Sequence, residues 1–232
     1  MSQLTLSESG LILSQPLQKT FRTAPLAAGQ SVSWLAWARY GDDQGTHGAC
    51  AMFAFANWGE CVARAKPDGI ATGRGIVKGV EGGRNITNKE TIAAYYDATG
   101  GLDEGMVFPD AYGASKRYAW HSGSTYLRAI TGDELLVNQP LLLGLEITDD
   151  WTRNGNVAGD GRFKSTRSSR ALGYHAVLQI GKGCPPQWGG GTWIYILTPW
   201  RLDDGTPWGW NGVAALPQEY VAEWCREVWA IA

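Results

Sequence analysis

A chain of 232 residues is long enough for one large domain or for two small lobes that share a cleft, and its 44% hydrophobic content can fill a core. Its 20 basic and 22 acidic side chains leave a formal net charge of -2 without a basic block, which argues against nucleic acid as a partner. The sequence has neither an apolar stretch long enough to span a bilayer nor a secretion signal in its first thirty residues, so we expect no membrane partner and a cytoplasmic or virion-associated protein.

The first half of the sequence predicts an arm followed by helices. Residues 1–31 are interrupted by prolines and a glycine and predict an extended N-terminal arm. From Cys50, apolar and small residues recur at three- and four-residue steps and predict a helix, which the Pro-Asp-Gly run at 67–69 ends. Two further helices are predicted over 89–98 and 109–120, the latter with a proline in its first turn.

The second half of the sequence predicts strands. Short apolar or alternating runs bounded by Gly and Pro lie at 140–147, 175–180 and 192–197. The polar segment 149–170 between two of these runs predicts a long exposed loop. Helices followed by strands favour an α+β fold with segregated layers over a doubly wound parallel sheet.

The four cysteines form no closely spaced pair, so neither a zinc site nor a disulfide scaffold is predicted; they are Cys50, Cys61, Cys184 and Cys225. His47 is three residues from Cys50 and is able in principle to share a metal with it, but no further ligand cluster supports such a site. We therefore expect no metal and no cofactor.

In the segment from Gln44 to Cys50, small and flexible residues directly precede the predicted helix, and the cysteine lies in its first turn. Unpaired backbone N–H groups and the positive end of the helix dipole favour a charged sulfur at that position, lowering its pKa. Composition alone favours the alternative that Cys50 is a small core residue. The residues around Cys50 distinguish an activated thiol from a small core residue.

Gln44-Gly45 before Cys50, and the aromatic-alanine helix after it, closely resemble the active-site signature of papain-like cysteine peptidases. The separation of Cys50 and His175 is close to the roughly 130–150 residues usual in that family. Five other runs are similar to family segments and occur in family order: Val32-Ser33-Trp34, Asn138-Gln139-Pro140, Gly173-Tyr174-His175-Ala176-Val177, Trp208-Gly209-Trp210-Asn211-Gly212 and Leu216-Pro217-Gln218-Glu219-Tyr220-Val221. The resemblance covers about residue 32 to the end.

The resemblance implies a particular α+β architecture for residues 32–232. A helical left lobe is expected at about 43–125. An antiparallel, β-barrel-like right lobe is expected at about 32–42 and 126–232, with the active-site cleft between the two lobes.

The resemblance also implies the catalytic residues. Cys50 is expected to attack a peptide carbonyl, His175 to act as base and then acid, and Gln44 to stabilise the oxyanion together with the Cys50 N–H. Thr198 stands where the family has the Asn that orients the histidine, so we expect weaker orientation of the ring. Ala51 stands where a Trp commonly follows the nucleophile.

For the substrate groove, the Leu-Asp-Glu-Gly run that ends at Gly105 is similar to a bacterial form of the glycine strip that pairs with an extended peptide. Gly82-Gly83 is the alternative position for this strip, and an ordinary turn glycine is the alternative for Gly105. Tyr174 and Trp200 are the other expected substrate-binding residues.

The two remaining histidines have no catalytic role in this interpretation. In the family pattern the position of His47 usually holds a cysteine of a structural disulfide. His121 lies near a predicted helix end and is expected at the surface.

Three functions follow. The leading one is a cysteine peptidase that acts on a protein or peptide without a cofactor. The second is a degenerate domain that serves as a structural or binding component of a phage particle or bacterial assembly, with the N-terminal arm docking a partner. The third is an amidase of cell-wall peptides, against which the Gln44 spacing and the C-terminal Trp-Gly run argue.

Overall fold

The computed structural model describes residues 22, 26–123, 125–152, 157, 160–165, 170–202 and 205–232. The arm predicted at residues 1–31 lies mostly outside these ranges. None of the helices in the described ranges has both the length and the apolar character needed to cross a bilayer.

The described ranges contain four α-helices: α1 (Cys50–Ala65), α2 (Asn88–Ala98), α3 (Phe108–Arg117) and α4 (Gln218–Trp224). The first three confirm the predicted helices. The third ends three residues before the predicted boundary, because Tyr118 caps it and Ala119 turns into the left-handed region at φ 55°. The short α4 was not predicted.

The N-termini of two helices follow from local sequence. Thr87 and Glu90 form a capping box at the start of α2: the Thr87 hydroxyl accepts from the Glu90 N–H at 3.1 Å, and the Glu90 carboxylate accepts from the Thr87 N–H at 3.2 Å. Pro109 lies in the first turn of α3. A backbone N–H at this position would have no intrahelical acceptor, so proline, which lacks the N–H, is tolerated there.

The strands are β1 (Ser31–Ser33), β2 (Ile70–Thr72), β3 (Gly75–Val77), β4 (Leu127–Ile130), β5 (Leu141–Thr148), β6 (Ala171–Gly183), β7 (Trp193–Leu197), β8 (Val213–Pro217) and β9 (Cys225–Ile231). Seven of them form one antiparallel sheet in the order β4-β9-β5-β6-β7-β8, with β1 paired to the end of β6, and β2 and β3 form a separate hairpin. The three predicted runs correspond to β5, β6 and β7.

The described strands do not close into a barrel, which corrects the β-barrel-like expectation. Closure requires the two edge strands to pair with each other. Here β4 pairs only with β9, and β8 pairs only with β7, so the sheet stays open at both edges.

The loop predicted at 149–170 is exposed only in part. Trp151 and Phe163 are each 1% exposed, and the Phe163 N–H donates to the Ala215 carbonyl of β8 at 2.9 Å. These two aromatic side chains anchor the described parts of the segment to the core, which a polar composition did not reveal.

The core lies between α1 and the sheet. All residues of α1 from Cys50 to Val62 are buried, and its small side chains permit close approach of neighbouring chain segments. At Gly59 a Cβ would lie 2.3 Å from the Trp120 carbonyl oxygen, so only glycine fits there.

His121 is buried, which shows that the surface position predicted for it is wrong. Its ring is 1% exposed and stacks on Tyr112 with 5.0 Å between centroids, while its Nε2 lies 3.0 Å from the Ser115 hydroxyl. Burial, followed by the Lys116 charge, lowers the pKa of His121 to about 4. The aromatic residues that cover the ring come from α1 and α3, so local sequence did not reveal them.

Replacing His121 by Gln should flatten the dependence of stability on pH. A histidine with a lowered folded pKa is neutral in the native state, so stability is complete above the unfolded pKa of about 6.5 and falls as pH drops toward the folded value. We expect His121 to account for a loss of roughly 3 kcal/mol between pH 7 and pH 4. Urea unfolding midpoints across this range measure it, and parallel curves for wild type and His121→Gln would contradict it.

Candidate active site

Cys50 is the first residue of α1. The preceding residue, Ala49, provides no side-chain cap, so the first N–H groups of the helix are free of a competing side-chain acceptor. Hydrogen bonds from the N–H groups of Cys50 and Ala51 favour the charged form of the sulfur. The first N–H groups of α1 therefore act as hydrogen-bond donors to the Cys50 thiol.

The sulfur also contacts the central sheet. The Ala176 N–H of β6 donates to Cys50 Sγ at 3.4 Å, and Ala176 follows His175 directly. The pairing of β6 with β5 places His175 opposite Leu145, in the middle of the sheet. The fold thus brings the predicted nucleophile to the backbone beside the predicted base.

One ring nitrogen of His175 is bound by Thr198. Nε2 lies 2.8 Å from the Thr198 hydroxyl, whereas Nδ1 is buried and has no hydrogen-bond partner among the described residues. A hydroxyl oxygen accepts from an Nε2–H, which leaves Nδ1 as the nitrogen able to take a proton. Thr198 therefore determines which of the two ring nitrogens is left available.

An aromatic stack covers the His175–Thr198 pair. Trp200 stacks on the imidazole at 4.0 Å between centroids, and Trp151 meets both rings edge-on. Trp208 lies parallel to Trp151 at 4.4 Å and donates its indole N–H to the Trp151 carbonyl. These rings exclude water from the hydrogen bond that orients His175.

The Trp-Gly-Trp-Asn-Gly run at 208–212 sets the position of Thr198. The Thr198 N–H donates to the Gly212 carbonyl at 2.8 Å. Gly212 has φ 88°, and a Cβ there would lie 2.9 Å from the Thr198 carbonyl oxygen. Glycine is therefore required at 212 for the turn to approach Thr198.

The site is closed in this structure. The exposed fraction is 0% for Cys50, 1% for His175 and Gln44, and 2% for Thr198. Burial raises the pKa of Cys50 to about 11 despite its backbone donors, and burial lowers the pKa of His175 to about 3. The closed geometry favours a neutral thiol and a neutral imidazole, which differs from the lowered thiol pKa predicted for the helix start.

Gln44 belongs to the same loop as Cys50. Its backbone N–H donates to the Pro199 carbonyl at 3.2 Å, next to Thr198. Its side-chain Nε2 donates to the His47 carbonyl at 3.0 Å, and its Oε1 is buried without a partner among the described residues. The amide nitrogen retains one further proton for a ligand.

The predicted substrate-binding residues occupy three different environments. Gly105 has φ 78° and donates its N–H to the Tyr95 hydroxyl at 3.0 Å. Tyr174 is half-buried on β6, opposite Glu146. Trp200 is 5% exposed because its indole covers His175.

The alternative glycine strip, Gly82-Gly83, lies elsewhere. It lines a cavity with Ala63 and Arg64, at the C-terminal end of α1. Since α1 has 16 residues and rises about 1.5 Å per residue, this position is far from Cys50.

Sequence reasoning missed a polar cluster beside the catalytic loop. Asp103 accepts from the Gly48 N–H at 2.7 Å and from the Tyr95 hydroxyl at 2.9 Å. His47 Nδ1 lies 2.8 Å from the Tyr96 hydroxyl and 3.8 Å from the Asp103 carboxylate. Two sequence signals touched this cluster: the Leu-Asp-Glu-Gly run, which contains Asp103, and the resemblance, which has a disulfide cysteine at the position of His47.

Neither a metal centre nor a disulfide is found in the described ranges. No group of three or more His, Cys, Asp or Glu side chains there is placed to hold a metal ion. All four cysteines, which lie in these ranges, are free and buried.

Comparison with solved structures identifies the fold. Xylellain, a cysteine protease from Xylella fastidiosa, is 16% identical at a TM-score of 0.57, over 95% of this chain and 98% of that chain. Procathepsin B S9 from Trypanosoma congolense is 14% identical at a TM-score of 0.59, over 98% of this chain and 88% of that chain. Digestive procathepsin L2 from the larval midgut of Tenebrio molitor is 13% identical at a TM-score of 0.53, over 99% of this chain and 80% of that chain.

Comparisons with protein-family models and with curated protein sequences gave no match. The structural likeness, at identities of 13–16%, establishes a papain-like α+β fold.

Replacing Trp200 by Ala should move the pKa of His175 upward, toward the ordinary value of about 6.5. Burial is the cause of the lowered value, and removal of the stacked indole admits water to the ring. NMR titration of the three histidines measures it, with His175→Gln used to assign the resonance. Trp37→Ala, at an indole that is 39% exposed, is the control, and an unchanged His175 titration in folded Trp200→Ala would contradict the prediction.

Proposed function

We propose that the chain is a papain-like cysteine peptidase that hydrolyses protein or peptide substrates through Cys50 and His175. The observation that carries the proposal is the hydrogen bond from the Ala176 N–H to Cys50 Sγ at 3.4 Å. It brings the start of α1 to the residue next to His175, whose Nδ1 is uncommitted and whose Nε2 is held by Thr198.

The proposed reaction begins with proton transfer from Cys50 Sγ to His175 Nδ1. The sulfur then bonds to the substrate carbonyl carbon, and the C=O π electrons move to the oxygen, which accepts from the Cys50 N–H and Gln44 Nε2. Collapse of this intermediate breaks the C–N bond, and His175 gives its proton to the leaving amine. In the second half of the reaction His175 takes a proton from water, and the water oxygen bonds to the thioester carbonyl carbon. The C–S bond then breaks, the acid product leaves, and the sulfur regains its proton from His175.

Substrate entry requires the closed site to open. Burial is the largest cause of both shifted pKa values, so admission of water and substrate between α1 and β6 lowers the pKa of Cys50 and raises that of His175. The thiolate–imidazolium pair forms in the opened cleft, where the donors at the start of α1 stabilise the sulfur.

The proposal includes the substrate groove and the division of the chain. Gly105, Tyr174 and Trp200 are proposed to line the groove. Residues 43–125 form the helical lobe, residues 32–42 and 126–232 form the β lobe, and residues 1–31 form the arm.

The second candidate function is a degenerate domain within a phage particle or bacterial assembly, either in the cytoplasm or in a virion. Two features favour it. Cys50 and His175 are buried, which shifts the pKa of each toward its neutral form, and a threonine stands at 198, where the resemblance leads us to expect Asn. In that case the arm docks an assembly partner.

An epoxide of the E-64 type should label Cys50 faster than Cys61, Cys184 or Cys225. All four thiols are buried, so burial alone predicts uniformly slow labelling, whereas an activating base acts on Cys50 alone. We expect His175→Gln to slow Cys50 labelling by at least about a hundredfold. Peptide mapping by mass spectrometry measures each rate, with Cys61→Ser as the matched thiol control.

Two outcomes separate the candidate functions. Selective labelling of Cys50 together with hydrolysis of a fluorescent peptide library supports the peptidase. Equal, slow labelling of all four cysteines and no hydrolysis supports the degenerate domain. Release of amines from purified cell-wall fragments, without peptide-library hydrolysis, would indicate an amidase instead.

Thr198→Val should lower kcat/KM by about tenfold to a hundredfold, because it removes one hydrogen bond of roughly 1.5–3 kcal/mol to a charged imidazole. Thr198→Asn should retain more activity than Thr198→Val, since its carboxamide oxygen remains an acceptor. Steady-state kinetics on one peptide substrate measure both. The control is Thr192→Val, another buried threonine, whose hydroxyl accepts from the Leu26 N–H. Equal kinetics for wild type and Thr198→Val would contradict the assigned role.

A further inference from the structure

Asp103 joins two chain segments that the proposed function assigns to the catalytic site. One is the loop from Gln44 to Ala49, which enters α1, and the other is the segment that carries Gly105. The Asp103 carboxylate accepts from the Gly48 N–H at 2.7 Å and from the Tyr95 hydroxyl at 2.9 Å. Gly48 lies two residues before Cys50, so the first of these bonds holds the backbone immediately ahead of the helix.

Tyr95 extends the connection from Asp103 to Gly105. Its side chain is buried, and its hydroxyl accepts from the Gly105 N–H at 3.0 Å while it donates to Asp103. Burial, followed by the hydrogen bond to Asp103, raises the pKa of Tyr95, so the phenol keeps its proton. The three groups form a continuous chain of bonds from Gly48 to Gly105.

The loop contains one proposed oxyanion donor, Gln44 Nε2, and leads into the other, the Cys50 N–H at the start of α1. Gln44 Nε2 donates to the His47 carbonyl, and the N–H of Cys50 follows three residues later. Residues outside the loop also contact His47: its Nδ1 lies 2.8 Å from the Tyr96 hydroxyl and 3.8 Å from the Asp103 carboxylate. A change in the loop at Gly48 therefore moves Gln44 Nε2 relative to Cys50, whose own N–H and Sγ move together.

No disulfide holds this loop, since all four cysteines of the chain, which lie in the described ranges, are free. Charge-assisted bonds to a carboxylate are shorter and stronger than neutral ones, which suits Asp103 to the task. Asp103 is 30% exposed and His47 33% exposed, so the cluster lies at the surface of the otherwise buried site.

We infer that Asp103 is a positioning residue that fixes the oxyanion-binding loop and, through Tyr95, the substrate-binding Gly105. The inference rests on the proposed peptidase function. Asp103 does not touch the reacting atoms; it acts by holding the Gly48 N–H and the Tyr95 hydroxyl.

The test uses the full chain and one fluorescent peptide substrate, with each rate divided by the concentration of active sites titrated with the epoxide. Asp103→Ala lowers kcat by about tenfold or more, because oxyanion donors act in the transition state. Asp103→Asn, which keeps an oxygen acceptor, recovers kcat to within about fivefold of wild type. Tyr95→Phe releases Gly105 but keeps the bond to Gly48, and it raises KM more than it lowers kcat.

Alkylation of Cys50 by iodoacetamide distinguishes positioning from a general structural role. This reaction forms no oxyanion, so its rate in Asp103→Ala stays within about threefold of wild type while peptide hydrolysis falls. Asp68→Ala is the matched control, an exposed carboxylate at the opposite end of α1.

Three results would overturn the inference. Unchanged kcat per titrated site in Asp103→Ala overturns it and leaves the peptidase function standing. An equal fall in alkylation and hydrolysis assigns Asp103 to the general stability of the site. A wild-type chain without hydrolysis or selective labelling overturns the proposed function, and the inference with it.

Discussion

The contact between the start of α1 and strand β6 is the constraint on which the rest of the site depends. Cys50 receives the Ala176 N–H from the sheet, in addition to the N–H groups at its own helix start. Burying these N–H groups without a hydrogen-bond acceptor would cost free energy, and the sulfur provides the acceptor. On another side of α1 the packing is also tight, since a Cβ at Gly59 would lie 2.3 Å from the Trp120 carbonyl oxygen.

Burial and ionisation compete at this contact. The helix dipole and the backbone donors favour a thiolate, but a fully buried charge loses its solvation, and in the closed structure burial is the larger effect. The same loss of solvent keeps His175 neutral. In the proposed function, an opening between α1 and β6 admits substrate and also reduces the burial that keeps the thiol neutral.

Sequence reasoning predicted the parts of the molecule that are encoded locally. The spacing of small and aromatic residues predicted α1, and apolar runs predicted β5 to β7. The burial of His121 and the open sheet were missed, because each depends on contacts between residues distant in sequence. The end of α3 was missed for a local reason, since Ala119 adopts a left-handed conformation that alanine does not favour. The structure brings Cys50 to the residue next to His175 and places Thr198 against His175. Asp103 was not assigned a role, since its partners Gly48 and Tyr95 lie on different segments.

The hydrogen bond between Thr198 and His175 depends on the position of the Thr198 backbone as well as on its short side chain. A hydroxyl reaches less far than a carboxamide, so the backbone must bring it closer to the ring. Gly212 does this by accepting the Thr198 N–H at a turn that tolerates no Cβ, and the resulting His175–Thr198 distance is 2.8 Å. The stacked Trp200 then keeps water from competing for that bond. Gly212 and Trp200 therefore account for an imidazole that a threonine hydroxyl holds at hydrogen-bond distance.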